Sequence, residues 1–145
     1  ITLYGASTST FQLRPQLGIA VDVTFAKGPG SNDHQTFALG KGPTLGIGPN
    51  IHPILHEHFK KLAGEMDMPF TIEPMPGSSG TDAISMQISA SGVPTVVLSI
   101  PIRYMHTPVE LASLTDIKRA GRLLARFVSQ LDNDSFKDLL SGTPS

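Results

Sequence analysis

Apolar residues arrive in short runs separated by turn residues, and two of those runs read as buried strands. "LGIAVDVTFA", Leu17 to Ala26, is apolar except for Asp22 and Thr24. Its length and β-branched content predict a strand buried on both faces, as in the sheet of an α/β protein. "VPTVVLSIP" from Val93 predicts a second such strand, and "ITLYG" and "FTIEPMP" predict shorter ones. "TFALGKGPTLGIGPN" reads as short strands broken by turns. Between these runs the period changes to that of a helix. "HPILHEHFKKLAGEMD", from His52 to Asp67, places Ile54, Leu55, His58, Phe59 and Leu62 on one stripe, with Asn50 as a cap and Pro53 in the first turn. "TDAISMQISAS" predicts a helix stopped by Gly92. From Asp116 to Leu131, Ile117, Ala120, Leu123, Leu124, Phe127, Val128 and Leu131 repeat at helical spacing behind a Thr115 cap. Strands alternating with helices give an α/β class, with a mixed, mostly parallel sheet flanked by helices. Residues 133–145 read as a C-terminal tail.

Length and composition narrow the function classes. The chain has 145 residues, the size of one compact domain, with a formal net charge of −1. Long basic runs are missing, so no nucleic-acid footprint is expected. No apolar run approaches the ~20 residues that span a bilayer, and no signal-peptide layout opens the chain. Ile1 is not an initiator methionine, so the sequence reads as processed, trimmed or excerpted. With no cysteine, thiolate metal sites are excluded and a cytoplasmic location is the simple expectation.

The candidate chemistry sits where strands end. In open α/β sheets ligands bind beyond the carboxyl ends of strands, which is where His106 of "IPIRYMHTPVE" falls, close to Arg103 and Tyr104. His106 is either a ligand or base, or a loop histidine bonded to a carbonyl. Asp22 lies in an apolar run, and a buried carboxylate must be hydrogen-bonded, ion-paired or bound to a metal. "PGSSGTDA" before a helix is either a cradle for a peptide group or a capping loop held by Thr81 or Asp82. It lacks the G-x-S-x-G elbow of serine hydrolases. His52 and His56 share a helical face, but Pro53 stands where a zincin needs glutamate, so this cluster reads as a solvated face with one partly buried histidine.

Three stretches, "GIAVDVTFAKGPG", "GKGPTLGIGPNIHP" and "GSSGTDAISMQISASGVPTVVLSIPIRYMHTPVE", in that order, resemble the C-terminal part of the catalytic domain of the tetrahedral aminopeptidases, peptidase family M42. Members carry labels such as glutamyl aminopeptidase, deblocking aminopeptidase and endoglucanase M. The resemblance implies a zinc-peptidase-like α/β domain, here partial and spanning residues 1–132. It implies a co-catalytic pair of divalent metals, zinc or cobalt, a peptide substrate, and a homo-oligomer, a dodecamer. Carried over residue by residue, Asp22 and His106 each ligate one of the metals. Gly80, Thr81 and Asp82 belong to the "GTDA" loop along the substrate cleft, and Arg103 lies beside it. The family also requires a bridging aspartate, a further histidine and a Glu-Glu pair that supplies the general base. None of these has a match here, and if "ITLYGA" corresponds to the end of the Glu-Glu motif, the pair falls just before Ile1. Alone, the segment is then expected to be inactive, or a non-catalytic assembly module. The endoglucanase label suggests a glycoside hydrolase, for which Asp22 and Asp82 are the obvious carboxylates; the lack of tryptophan for sugar stacking argues against it.

Overall fold

The computed structural model describes residues 3–32 and 35–132. In chain order the elements are α1 (Tyr4–Leu13), β1 (Gly18–Phe25), β2 (Thr44–Ile47), α2 (Pro53–Glu65), β3 (Thr71–Pro74), α3 (Asp82–Gln87), β4 (Thr95–Arg103), β5 (Leu111–Ala112) and α4 (Leu114–Val128). The anticipated tail over 133–145 lies outside the described residues.

The strands form one mixed sheet in the order β1-β4-β2-β3, with β5 paired to β4. β1 runs parallel to β4 along its whole length, and β2 runs parallel to β3. A short antiparallel junction, Thr44 with Ser99 and Leu45 with Leu98, joins the two halves. β4 is the central strand. Val96, Val97, Leu98 and Ser99 are all buried, so both of its faces are covered. α2 and α4 pack together through Phe59 and Phe127, which stack with ring centroids 4.4 Å apart. α3 lies over the start of β1. A Cβ on Gly18 would sit 2.3 Å from the Met86 methyl.

The sequence expectations fail at a few points, each for a physical reason. The described part of "ITLYG" is not a strand, because Tyr4 opens α1, and Ile1 and Thr2 lie outside the described residues. Five residues carry too little period to separate strand from helix. The hydroxyls that follow then bond back to the preceding turn, Thr8 Oγ1 to the Tyr4 carbonyl at 2.8 Å and Ser9 Oγ to the Gly5 carbonyl at 2.6 Å. β1 is buried on one face only. Gly18, Ala20 and Thr24 are covered, while Val21, Val23 and Phe25 are 50%, 38% and 54% exposed. The helices over β4 and β2 do not extend across it.

Helix α4 starts before the anticipated cap, with the Ser113 hydroxyl accepting from the Asp116 amide. Thr115 is therefore not the cap. Asp116 is fully buried and turns its carboxylate outward from the helix, accepting from the amides of Gly40 at 2.6 Å and Gly42 at 2.8 Å. Gly42 is the one residue type that fits there. Its φ is +90°, and a Cβ would meet the Pro69 carbonyl at 1.7 Å. Asn50 does not cap α2 either; its side chain is used elsewhere, as described below. α3 ends at Gln87, ahead of the anticipated stop at Gly92.

Candidate active site

A cleft of about 260 Å³ opens where the carboxyl halves of β1 and β4 approach the loop before α3. Asp22, Gly80, Thr81 and His106, drawn from three separate stretches of sequence, all line it. Asp22 is partly buried, and its Oδ1 accepts from the following amide, Val23 N, at 2.8 Å. It has no cationic partner among the described residues, so the ion-paired alternative for it falls away.

His106 reaches the cleft through strained backbone. Both Tyr104 and His106 have left-handed φ angles, 61° and 65°. Non-glycine residues adopt that region at a cost and do so most often at functional sites. Local bonds hold the turn: the Thr107 hydroxyl donates to the Tyr104 carbonyl at 2.6 Å, and the His106 amide donates to Glu110 Oε1 at 2.7 Å. The imidazole side is exposed, which leaves it accessible to a ligand.

The opposite wall is a backbone loop. Gly80 sits at φ +68°, and Thr81, buried, caps α3 by accepting from the Ala83 amide. Asn50 orients this loop: its Oδ1 accepts from the Ser79 amide at 3.0 Å, while its Nδ2 donates to Gln87 Oε1 at 2.7 Å. The capping reading of "GSSGTDA" is realised through Thr81, and the same loop lines the cleft with Ser79, Gly80 and Thr81. Asp82 is exposed in the first turn of α3, and Arg103 donates from Nε to the Lys27 carbonyl at 2.6 Å; neither lines the cleft.

The cleft also holds residues that the sequence reading passed over, chiefly Glu73 and Ser99. Glu73 Oε1 accepts from Thr24 Oγ1 at 2.6 Å and Oε2 from Thr44 Oγ1 at 2.5 Å, so one carboxylate ties β1 and β2 to β3. Ser99 is 1% exposed, and its hydroxyl has no hydrogen-bond partner. The signal for Glu73 was present, a lone charge inside the apolar "FTIEPMP", and it is the same signal that marked Asp22.

Asp22 and His106 suit a divalent metal in type, since a carboxylate and an imidazole are ordinary ligands of zinc. They fall short in number: among the described residues no three His, Asp or Glu side chains converge. The α2 histidines do not substitute. His56 is buried and bonded through Nδ1 to the Gly46 carbonyl at 2.8 Å. His58 packs edge-on against Phe127, and burial lowers its pKa. The solvated face expected for the α2 histidines is not found: His56 is buried in the core, and His52 and His58 are both partly buried, because this face of the helix packs toward the sheet and α4.

Comparison with known proteins bears on the family and the fold. Residues 1–123 match the family model of the M42 glutamyl aminopeptidases. A lysyl aminopeptidase from Pyrococcus furiosus is 45% identical over 131 residues, covering 90% of this chain and 38% of that protein. The crystal structure of a TET aminopeptidase from a marine-sediment Thaumarchaeota archaeon superposes with a TM-score of 0.86 at 29% identity, over 96% of this chain and 40% of that one. The Pyrococcus horikoshii TET1 peptidase, which can assemble into a tetrahedron or a large octahedral shell, superposes at 0.73 with 27% identity, over 90% of this chain and 38% of that one. The chain thus spans about two-fifths of the length of these relatives. The family-model match over residues 1–123, with a relative 45% identical over 90% of the chain, makes it a member of the M42 glutamyl aminopeptidase family of peptidases.

Proposed function

We propose that this segment supplies one side of the active site of a metal-dependent aminopeptidase that removes N-terminal residues from peptides. The observation that carries the reading is the convergence of Asp22 and His106 on one cleft from distant parts of the sequence. Each serves as a terminal ligand of one of two divalent ions, zinc or cobalt. When bound, such a pair supplies Lewis-acid polarisation of a carbonyl and a water of lowered pKa. The loop at Gly80 and Thr81 receives the peptide backbone, with Asp82 next along the chain. Arg103 fixes the end of β4 against the loop after β1, and so the base of the His106 turn, as its part in substrate binding. Zinc takes four ligands at structural sites and about three protein ligands at catalytic ones, so two donors need partners from further polypeptide. Carboxylates of that polypeptide would complete the ligand set and would supply the general base. This segment by itself is inactive, and the whole protein acts as a cytoplasmic homo-oligomer, a dodecamer on the family pattern.

The test uses the full-length protein that carries this sequence. Hydrolysis of aminoacyl p-nitroanilides should stop on chelation and return with Zn²⁺ or Co²⁺. His106→Ala should reduce both activity and bound metal, with the fold retained by circular dichroism. Activity indifferent to chelators would sink the reading. The shortage of ligands among the described residues favours one second reading, a non-catalytic assembly module. Tight binding of two metals together with hydrolysis by the 145-residue chain alone would eliminate it. The carboxylate pair that the sequence offered for a glycoside hydrolase, Asp22 and Asp82, does not share the cleft.

A further inference from the structure

We propose that Glu73, together with the buried hydroxyl of Ser99 in the same cleft, forms a subsite for a cationic side chain, so that the cleft selects peptides beginning with a basic residue. The inference rests on the aminopeptidase reading above for its substrate, and on separate residues for its chemistry.

Glu73 projects from β3 into the cleft that holds Asp22 and His106. The hydroxyls of Thr24 and Thr44 each occupy one of its oxygens. A carboxylate offers about four lone-pair sites, so two remain. The threonines aim the group without neutralising it. No lysine or arginine lines the cleft, and none pairs with Glu73 among the described residues. A half-buried carboxylate aimed by neutral donors, with no cation of its own, is arranged to receive one from a ligand.

Ser99 supplies an independent indication. It is 1% exposed, it lines the cleft, and its Oγ has no partner. Its place in the sheet puts it between Asp22 on β1 and Thr44 on β2. A buried hydroxyl left unbonded is destabilising, and a ligand donor or acceptor removes that cost. Met75 and Met105 complete the wall. Unbranched thioethers conform to a methylene chain, and lysine buries its stem while its ammonium seeks polar partners. A metal at Glu73 fits less well, since no three His, Asp or Glu groups converge among the described residues.

A purely structural role for Glu73, as a clasp between strands, makes a different prediction. Breaking the clasp would impair every substrate alike, whereas losing the subsite impairs the basic ones selectively.

The experiment compares L-lysine p-nitroanilide with its uncharged counterpart, L-norleucine p-nitroanilide, on the full-length protein. The wild type should prefer lysine, and rising salt should narrow the preference. In Glu73→Gln the ratio of kcat/KM for lysine over norleucine should fall by about 10- to 100-fold, chiefly through KM for lysine. Metal content should stay at the wild-type level. An unchanged ratio, an equal loss for both substrates, or loss of metal would each overturn the subsite. If Glu73→Gln does not fold, Ser99→Ala decides: a lowered ratio upholds the subsite and an unaltered one discards it. If the wild type hydrolyses neither substrate, calorimetric titration with L-lysinamide and L-norleucinamide separates the two ideas. Binding of lysinamide alone, lost in Glu73→Gln, keeps the subsite and discards the aminopeptidase; equal binding of both discards the subsite.

Discussion

Replacing Asp116 with alanine tests how the helical layer is fastened to the sheet. The Asp116 carboxylate is fully buried at the start of α4 and accepts two backbone amides from the loop before β2. The two bonds are not equivalent. Gly40 is exposed, so water can replace the lost acceptor, and that bond contributes about 0.5–1.5 kcal/mol. Gly42 is buried, and its amide would be left without an acceptor at a cost of about 1–3 kcal/mol. An acidic group in the first helical turn adds about 0.3–1 kcal/mol through the helix dipole. Arg119 lies 3.7 Å away and partly exposed; it retains its bond to the Gly40 carbonyl, so little is added for the ion pair. The total for Asp116→Ala is about 2–5.5 kcal/mol. Asp116→Asn keeps one acceptor and should lose roughly half of that. Urea denaturation followed by circular dichroism gives both values, with an unchanged m-value showing that the unfolded state is unaffected. An alanine cost below about 1 kcal/mol, or an asparagine variant as damaged as the alanine one, would refute the assignment of the two bonds.

Two further outcomes follow from the packing of α2 on α4. Phe127→Ala removes a fully buried ring stacked on Phe59 and should cost about 3–5 kcal/mol in the same assay; a cost under about 2 would mean the two helices close over the gap. His58 has a pKa lowered chiefly by burial against its ordinary 6.5, so the unfolded chain takes up the proton first. Stability is then complete above pH ~6.5 and declines as pH falls below it; His58→Gln should flatten that decline, and an unchanged pH dependence would show that His58 does not contribute.

Much of this arrangement was legible in the residues themselves. Both long strands, the two long helices and the loop before α3 lie close to where their periods place them. So does the meeting of Asp22, His106 and the Gly80 loop, because the ends of parallel strands collect on one side of a sheet. The failures share a cause: local pattern does not reveal what a face packs against. Apolar Val21, Val23 and Phe25 suggested a strand covered on both sides, yet their side stays about half open to solvent among the described residues. Asn50 and Thr115 are sound caps by type, but Asn50 is committed to the Ser79 loop and Ser113 reaches the α4 amide first. Glu73 went unnoticed because its two partners are far away in sequence, on β1 and β2, and only the folded sheet brings them within reach.

The row of polar groups across the sheet also bears on how the chain finds its fold. A one-residue slip of a strand turns every side chain to the other face. In most strands the hydrophobic pattern forbids this, but β1 carries apolar residues on both faces, Ala20 on one and Val21, Val23 and Phe25 on the other. Apolar burial alone would barely distinguish the correct alignment of β1 with β4 from its neighbour. Thr24 does distinguish them, because only the native alignment points its hydroxyl at Glu73. The same alignment sets Asp22 opposite Ser99 and turns it into the cleft. The hydroxyl–carboxylate contact that furnishes the cleft thereby acts as a proofreading key: a misaligned strand would lose a hydrogen bond and turn the Asp22 carboxylate out of the cleft at once.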